Sequence, residues 1–300
     1  MHSHLLGIDW GTSNRRAYLI DRAGVTVASQ SDGCGMLAVR GHFPEALAGL
    51  IEQMGIAADV PVVMSGMVGS AQGWQEVPYL ATQVALSALP GQLHRVDDAA
   101  LAGRCAYIVP GYCQRDGNVD VMRGEETQLL GAVAQGRLDG WVVLPGTHSK
   151  WVLLQGGAIE RFFTFMTGEL FAALAAGGTL APLIAASAHA QVDELAFAAG
   201  IAQARLAAPL SNALFGVRAR VVSGVMPAAQ ARDFVSGLLI GAEFVAALAL
   251  NAPVSLALLG SPALTARYAR AAALFGMDAE TLDGEALYTS ALRQFFTLFD

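Results

Sequence analysis

Two stretches of this chain follow one plan: an apolar strand, a Gly-Thr-(x)-Ser turn and a second apolar strand. The first reads Leu5-Leu6-Gly7-Ile8-Asp9-Trp10-Gly11-Thr12-Ser13-Asn14-Arg15-Arg16-Ala17-Tyr18-Leu19-Ile20. The second reads Trp141-Val142-Val143-Leu144-Pro145-Gly146-Thr147-His148-Ser149-Lys150-Trp151-Val152-Leu153-Leu154. Each predicts a hairpin whose turn gathers backbone N–H groups and hydroxyls around a point where an anion can sit. A chain that carries the hairpin twice is expected to be a duplicated domain whose halves clasp a polyphosphate. Asp9, beside the first turn, cannot bind phosphate itself but can hold a divalent cation that does. The plain alternative is two ordinary hairpins.

Composition narrows the class. Three hundred residues exceed what one core usually organises, so two lobes are expected, at 1–118 and 119–300. With 54% hydrophobic and 14% charged residues the chain is not disordered, and a net charge of −7 argues against a nucleic-acid or anionic-membrane surface. Cys34, Cys105 and Cys113 are odd in number and lack CxxC spacing, so they read as reduced thiols of a cytoplasmic protein. No signal-peptide pattern opens the chain. The charge-free windows 170–192 and 244–266 are broken by Gly177-Gly178, Pro182 and His189, and by Asn251, Pro253 and Pro262. They read as buried helices and strands of a soluble chain rather than membrane spans.

The remaining elements follow from periodicity. Residues 24–29 extend the first hairpin to a meander, and 43–54 has helical apolar spacing. Residues 61–64 form a buried strand leaving through Ser65-Gly66-Met67-Val68-Gly69-Ser70, a Gly/Ser-rich exit of the kind that contacts substrates. Gly73-Trp74 and Glu76-Val77-Pro78-Tyr79 add aromatics that either face a sugar or pack on their own lobe. After a strand at 106–110, Gly124 precedes a helix to about residue 134, with Glu125 and Glu126 in its first turn. Their placement there is also favourable for dipole reasons alone. Residues 158–162 resume as a strand, and Thr167 is expected to cap the next helix. Residues 190–205 and 233–250 read as helices, and 220–224 as strand-like. A strand at 254–259 ends in Gly260-Ser261-Pro262 before a helix at 263–275, a junction that suits an adenine or ribose.

The order of these parts resembles the sugar kinases of the actin, heat-shock chaperone and hexokinase superfamily. More closely it looks like the 2-dehydro-3-deoxygalactonokinase family. The resemblance is carried by Gly7-Ile8-Asp9-Trp10-Gly11-Thr12-Ser13, Met64-Ser65-Gly66-Met67-Val68-Gly69-Ser70 and Arg123-Gly124-Glu125-Glu126-Thr127-Gln128. Leu144-Pro145-Gly146-Thr147-His148-Ser149-Lys150-Trp151, Phe165-Met166-Thr167-Gly168-Glu169-Leu170-Phe171 and Ser236-Gly237-Leu238-Leu239-Ile240-Gly241 complete it, so it runs nearly end to end. It implies an α/β fold of two actin-like, ribonuclease H-like lobes with an active-site cleft between them. It also implies ATP-dependent, Mg²⁺-assisted phosphorylation of a keto-deoxy sugar acid, 2-dehydro-3-deoxy-D-galactonate, at its 6-hydroxyl.

The same resemblance assigns Asp9 to Mg²⁺. It sets Gly11, Thr12, Ser13, Gly146, Thr147, His148 and Ser149 on the phosphates, and Gly260 and Ser261 on the adenosine. Glu126, with Glu125 as the alternative, takes the place of the base, where superfamily relatives usually have an aspartate. Pro145 stands where many relatives carry an aspartate. Ser65, Gly66, Met67 and Trp74 face the sugar acid. Arg15, Arg16, Arg123 and Arg161 are candidates for its carboxylate, with Arg16 and Arg123 ranked first. Lys150 either meets a phosphate or faces solvent.

Three other readings stand beside this one. A kinase of another keto-deoxy acid differs only in stereochemistry. A non-catalytic sugar sensor of the same fold would be expected to carry a DNA-binding segment before residue 5, and an interaction-module ATPase to carry large insertions or a peptide-binding domain. No nucleic-acid or membrane partner is expected, and a homo-oligomer is compatible with the sequence.

Overall fold

The computed structural model describes residues 2–101, 103–186, 192–250 and 255–299. The chain divides into two compact units: unit 1 holds residues 1–139, 153–162 and 283–300, and unit 2 holds 140–152 and 163–282. This differs from a single cut at 118/119. The helix that follows residue 124 packs with the first unit, and the last helix returns to it because its apolar face is buried there.

Unit 1 begins with β1 (His4–Trp10), β2 (Arg15–Asp21) and β3 (Thr26–Asp32), then α1 (Phe43–Gln53) and β4 (Val62–Gly66). Short strands β5 (Leu80–Ala81), β6 (His94–Arg95), β7 (Ala106–Ile108), β8 (Tyr112–Gln114) and β9 (Asp120–Met122) lead to α2 (Glu125–Ala134). Its main sheet has the order β3-β2-β1-β4-β7-β6. The first three strands are an antiparallel meander, and β4 and β7 join parallel. Strands β1 and β2 are longer than the apolar runs, so Asp9 and Trp10 sit in the ladder, Asp9 opposite Arg16 and Trp10 opposite Arg15, and not in the turn. The reason is packing. Trp10 is fully buried against Phe43, with the Arg15 guanidinium over its ring. α1 covers this sheet through Phe43, Leu47 and Leu50.

Unit 2 is built on β10 (Gly140–Leu144), β11 (Ser149–Gln155) and β12 (Ala158–Phe165), the last two running on into residues of unit 1. Helices α3 (Thr167–Ala176), α4 (Ala181–Ala186), α5 (Glu194–Ala204), α6 (Leu210–Val222) and α7 (Ala231–Leu250) follow, then β13 (Ser255–Leu259), α8 (Pro262–Leu274) and β14 (Asp278–Leu282). α9 (Gly284–Phe295) belongs to unit 1. The sheet order is β12-β11-β10-β13-β14, with β13 parallel to both its neighbours. Five strands of each sheet thus share one order, a three-strand run whose first member is central and then two parallel strands, as expected of a duplicated domain; unit 1 adds β6 at the edge, antiparallel to β7.

Residues 220–224 are not a strand. Residues 220–222 close α6, which buries Ala213 and Val217, and Arg220 lies over the Phe234 ring while donating to Gln203. The β-branched pair Val221-Val222 resembles a strand locally, and the helical face decides otherwise. Thr167 is the first residue of α3 and not its cap; Met166 holds the cap position. His189 and the start of the helix expected at 190 lie outside the described residues, as do Asn251, Pro253 and the start of the strand expected at 254. The described helical segment long and apolar enough to cross a membrane is Ala228–Leu250, of mean hydropathy 1.8, rather than either charge-free window. It is mostly buried within unit 2, where Ile240, Phe244 and Ala247 pack against α5, α8 and the sheet.

Candidate active site

In unit 1 the parallel strands β1 and β4 end together, with Asp9 beside Ser65 and Trp10 beside Gly66. Gly66 has φ +91°, and a Cβ there would lie 2.7 Å from the Trp10 carbonyl oxygen. Gly124, at the N-cap of α2, has φ +111°, and a Cβ there would come within 3.3 Å of Gly66 Cα. Two glycines in left-handed backbone therefore let the start of α2 close onto the strand ends, which is the geometric role of the Gly-Glu-Glu sequence.

The two glutamates diverge as successive helical residues must. The Glu125 carboxylate is half-buried and accepts the Arg123 N–H at 3.1 Å. It also faces Asp9 closely enough to raise that residue's pKa. Glu126 is fully buried; one oxygen accepts the Gly124 N–H at 2.6 Å and the other has no hydrogen-bond partner among the described residues. Burial first, then Glu125, pushes the Glu126 carboxyl up to about 8, against the Arg123 charge. Arg123 lies over the Tyr79 ring at 4.3 Å and donates one N–H to Val77 O at 2.6 Å, while its buried Nε and Nη1 lack partners among the described residues. Tyr112 and Thr127 carry buried hydroxyls in the same condition, and burial first, then the Glu126 charge, raises the Tyr112 pKa. One carboxylate oxygen, two guanidinium nitrogens and two hydroxyls, all buried and without partners among the described residues, are costly unless something polar meets them. Tyr112 and Thr127 carry no sequence signal beyond following Gly111 and Glu126.

Asp9 is about a quarter exposed and 3.6 Å from Arg16, itself half exposed. Burial, opposed by Arg16 and reinforced by Glu125, lifts its pKa to about 6. The first turn is fixed from behind, since the Gly11 and Thr12 carbonyls accept the Met36 and Leu37 N–H groups at 2.9 and 3.1 Å. Thr12 and Ser13 are exposed. No group of three or more His, Cys, Asp or Glu that could hold a metal occurs among the described residues. Asp9 with Glu125 nearby suits Mg²⁺ nonetheless, because that ion commonly takes one or two carboxylates and completes its shell with water and substrate phosphate.

Several expected contacts are spoken for within unit 1. Ser65 is fully buried with its hydroxyl 3.0 Å from that of Tyr288 on α9, which rules out a role as an open sugar contact. Met67 is half-buried against the unit 1 core. Trp74 stacks on Phe43 and gives its indole N–H to Asp98 at 2.9 Å, so its ring packs on its own lobe. Arg15 is buried and ion-paired with Asp32 at 2.7 Å, which makes it structural. Arg161 lies on β12.

In unit 2 the second turn leaves Thr147 and His148 exposed and Gly146 half-exposed. A Cβ on Gly168 would fall 2.3 Å from the Gly146 carbonyl oxygen, and one on Gly260 3.2 Å from that of Pro145. The turn is therefore flanked by the start of α3 and by the β13–α8 junction, where Ser261 caps α8 through its backbone oxygen. His148 meets Glu169 at 2.5 Å. Ser149 is buried, and its hydroxyl donates to Glu243 at 2.7 Å, so it is not a side-chain phosphate ligand. Lys150 is buried and gives a hydrogen bond to Thr164 at 2.8 Å, so it neither faces solvent nor projects from the turn.

Comparisons with known proteins give the family. A protein of Rhizobium meliloti (strain 1021) assigned as a 2-dehydro-3-deoxygalactonokinase is 37% identical over 95% of this chain and 94% of its own length. The 2-dehydro-3-deoxygalactonokinase of Escherichia coli (strain K12) is 36% identical over 98% of this chain and 97% of its own. A crystal structure of a Sinorhizobium meliloti protein assigned the same activity has TM-score 0.90 at 35% identity, covering 98% of this chain and 96% of that one. Component A of the Acidaminococcus fermentans (R)-2-hydroxyglutaryl-CoA dehydratase, 13% identical over all of both chains with TM-score 0.54, shares the fold alone. That fold is the actin-like ATPase fold. The 2-keto-3-deoxy-galactonokinase family matches residues 9–295, and with relatives this similar over nearly its whole length the chain belongs to that family.

Proposed function

We propose that this chain transfers the terminal phosphoryl group of ATP to the 6-hydroxyl of 2-dehydro-3-deoxy-D-galactonate, giving the 6-phosphate and ADP. Membership of the family supports the reaction, and one observation carries the assignment of its centre. Glu126 holds a buried carboxylate oxygen without a partner among the described residues, at the helix start beside Asp9's strand. A sugar hydroxyl donating to that oxygen supplies the missing hydrogen bond and is placed to lose its proton as the new O–P bond forms.

Arg123, with two N–H-bearing nitrogens unpartnered among the described residues, is the group for the substrate carboxylate, because a guanidinium satisfies a carboxylate in bidentate fashion. Arg16 neutralises the Asp9 side of the site. Asp9, with Glu125, holds Mg²⁺, and the ion when bound neutralises charge on the phosphates. In unit 1, residues 11–13 offer turn backbone and the Thr12 and Ser13 hydroxyls to phosphate; in unit 2, residues 146–148 offer theirs with the Thr147 hydroxyl, and Gly260 and Ser261 are the residues for the adenosine. Phosphoryl transfer asks mainly for positioning and charge neutralisation, which is what these groups supply. The enzyme works in the cytoplasm, where ATP is made.

A coupled assay of ADP release with ATP, Mg²⁺ and the galactonate- or gluconate-derived keto-deoxy acid tests this. Turnover is expected with the galactonate-derived acid. ADP release that is indifferent to any acceptor, or absent with all of them, would sink the proposal.

A further inference from the structure

Glu243 is a buried carboxylate of unit 2 that accepts four side-chain hydrogen bonds, and it lies well outside every phosphate motif in the sequence. It sits on α7 and is 3% exposed. One oxygen accepts Ser149 Oγ and Trp151 Nε1, each at 2.7 Å; the other accepts Tyr268 OH at 2.7 Å and Thr167 Oγ1. Four donors thus fill both oxygens. They come from the strand leaving the second turn, from the first residue of α3 and from α8. Burial pushes the Glu243 carboxyl up, and the four donors oppose that. A buried carboxylate seldom stabilises a fold better than a well-packed apolar side chain would, so its place here points to specificity of geometry.

What the four bonds hold is the second turn. Ser149 ends that turn, and Thr167 leads directly into Gly168 and Glu169. Gly168 packs on the Gly146 carbonyl, and the Glu169 N–H donates to the Thr147 carbonyl at 2.9 Å. The turn is consequently gripped at its end through Ser149 and along its side through the start of α3. Both grips are anchored on one carboxylate.

We infer that Glu243 is a positioning residue for nucleotide binding: it sets the backbone of residues 146–148 where ATP phosphates are received, without touching the nucleotide. The inference rests on the proposal that this turn binds phosphate. Glutamine is an imperfect replacement for Glu243: its oxygen can still accept from Ser149 and Trp151, but its NH₂ must then donate to the Tyr268 and Thr167 hydroxyls, which reverses both of those bonds and removes their charge assistance.

The test uses the full chain with Thr167→Val, Thr167→Ser and Glu243→Gln. ADP affinity is read by calorimetry, KM for each substrate by steady-state kinetics, and turn mobility by amide exchange over residues 146–149. Thr167→Val and Glu243→Gln are expected to weaken ADP and raise KM for ATP by ~10- to 100-fold, the scale of a small misplacement of binding groups. KM for the sugar acid is expected to hold, and turn exchange to accelerate. Thr167→Ser, which keeps the hydroxyl, is expected to restore wild-type values. If Glu243→Gln fails to fold, the Thr167 pair still decides. Unaltered turn exchange and ATP KM in Thr167→Val would overturn the role of Glu243. The phosphate role is judged separately in the wild-type protein: ADP that fails to slow exchange at 146–149 would overturn that reading instead.

Discussion

Glu126 is the residue proposed as the base, and its burial makes two separable predictions. Replacing it with glutamine keeps the shape and removes the proton acceptor, so turnover is expected to fall ~10²-fold or more while ADP binding measured by calorimetry persists. Near-normal turnover would remove it as base. The second prediction follows from proton linkage. Its carboxyl stands at about 8 in the folded chain against an ordinary 4.5, so between those values the folded state holds a proton that the unfolded state has lost. Its contribution to stability is therefore greatest below pH 4.5 and declines as pH rises through 8. Glu126→Gln should accordingly melt higher than wild type at pH 8 and above, where the wild-type charge is most costly. The base must be ionised to act, so kcat/KM should climb with pH toward a limb near 8 in wild type. Arg123→Ala is expected to raise KM for the sugar acid ~10-fold or more, the cost of a lost charge-assisted pair, and to leave ADP affinity alone. Asp9, Glu126 and Arg123 were singled out by their motifs, and the chemical roles proposed for them await these measurements. The occupation of Ser65 by Tyr288 and of Ser149 by Glu243 was not legible in the sequence, since each hydroxyl finds its partner far along the chain.

At the scale of elements, the starts and stops were written locally and the contacts were not. α2 spans Glu125–Ala134 as its glycine break and acidic first turn predict, and α1 follows its apolar spacing with Pro44 in its first turn. The end of α6 was misread because two valines favour strand in isolation, while Val217, fully buried, commits them to a helix. α5 and α7 approach so closely that a Cβ on Gly237 would lie 2.0 Å from the Phe197 carbonyl oxygen, and one on Gly200 2.1 Å from that of Phe234. Gly237→Ala should therefore destabilise unit 2 by ~1–3 kcal/mol, the usual cost of overpacking, as read by urea unfolding. Wild-type stability would mean that the helices part at no cost.

For the molecule as a whole, catalysis is expected to depend on divalent cation supplied with the nucleotide. EDTA should abolish turnover and added Mg²⁺ restore it. Asp9→Asn should raise the Mg²⁺ concentration needed for half-maximal rate, whereas an unchanged requirement would move the ion elsewhere. The repeated hairpin revealed the duplication, and each sheet repeats the order that it implies. The expected cut at 118 missed the return of α9 to unit 1, where Leu292, Ala291 and Phe295 are fully buried and a Cβ on Gly131 would meet the Leu287 carbonyl at 1.8 Å.

The sequence by itself determined the duplicated α/β plan, the two Gly-Thr turns and the acidic helix start, because these depend on neighbours within a few residues. Turn chemistry, strand alternation and helix entry are short-range consequences of side-chain type. Only the tertiary structure decided which polar groups are left for a substrate and which are consumed inside the protein. Glu126 keeps one oxygen unpartnered among the described residues, while the polar atoms of Glu243, Ser149, Thr167 and Lys150 bond to one another or to Thr164. The physical reason is that desolvation and hydrogen-bond satisfaction are set by groups that meet only after the chain has folded.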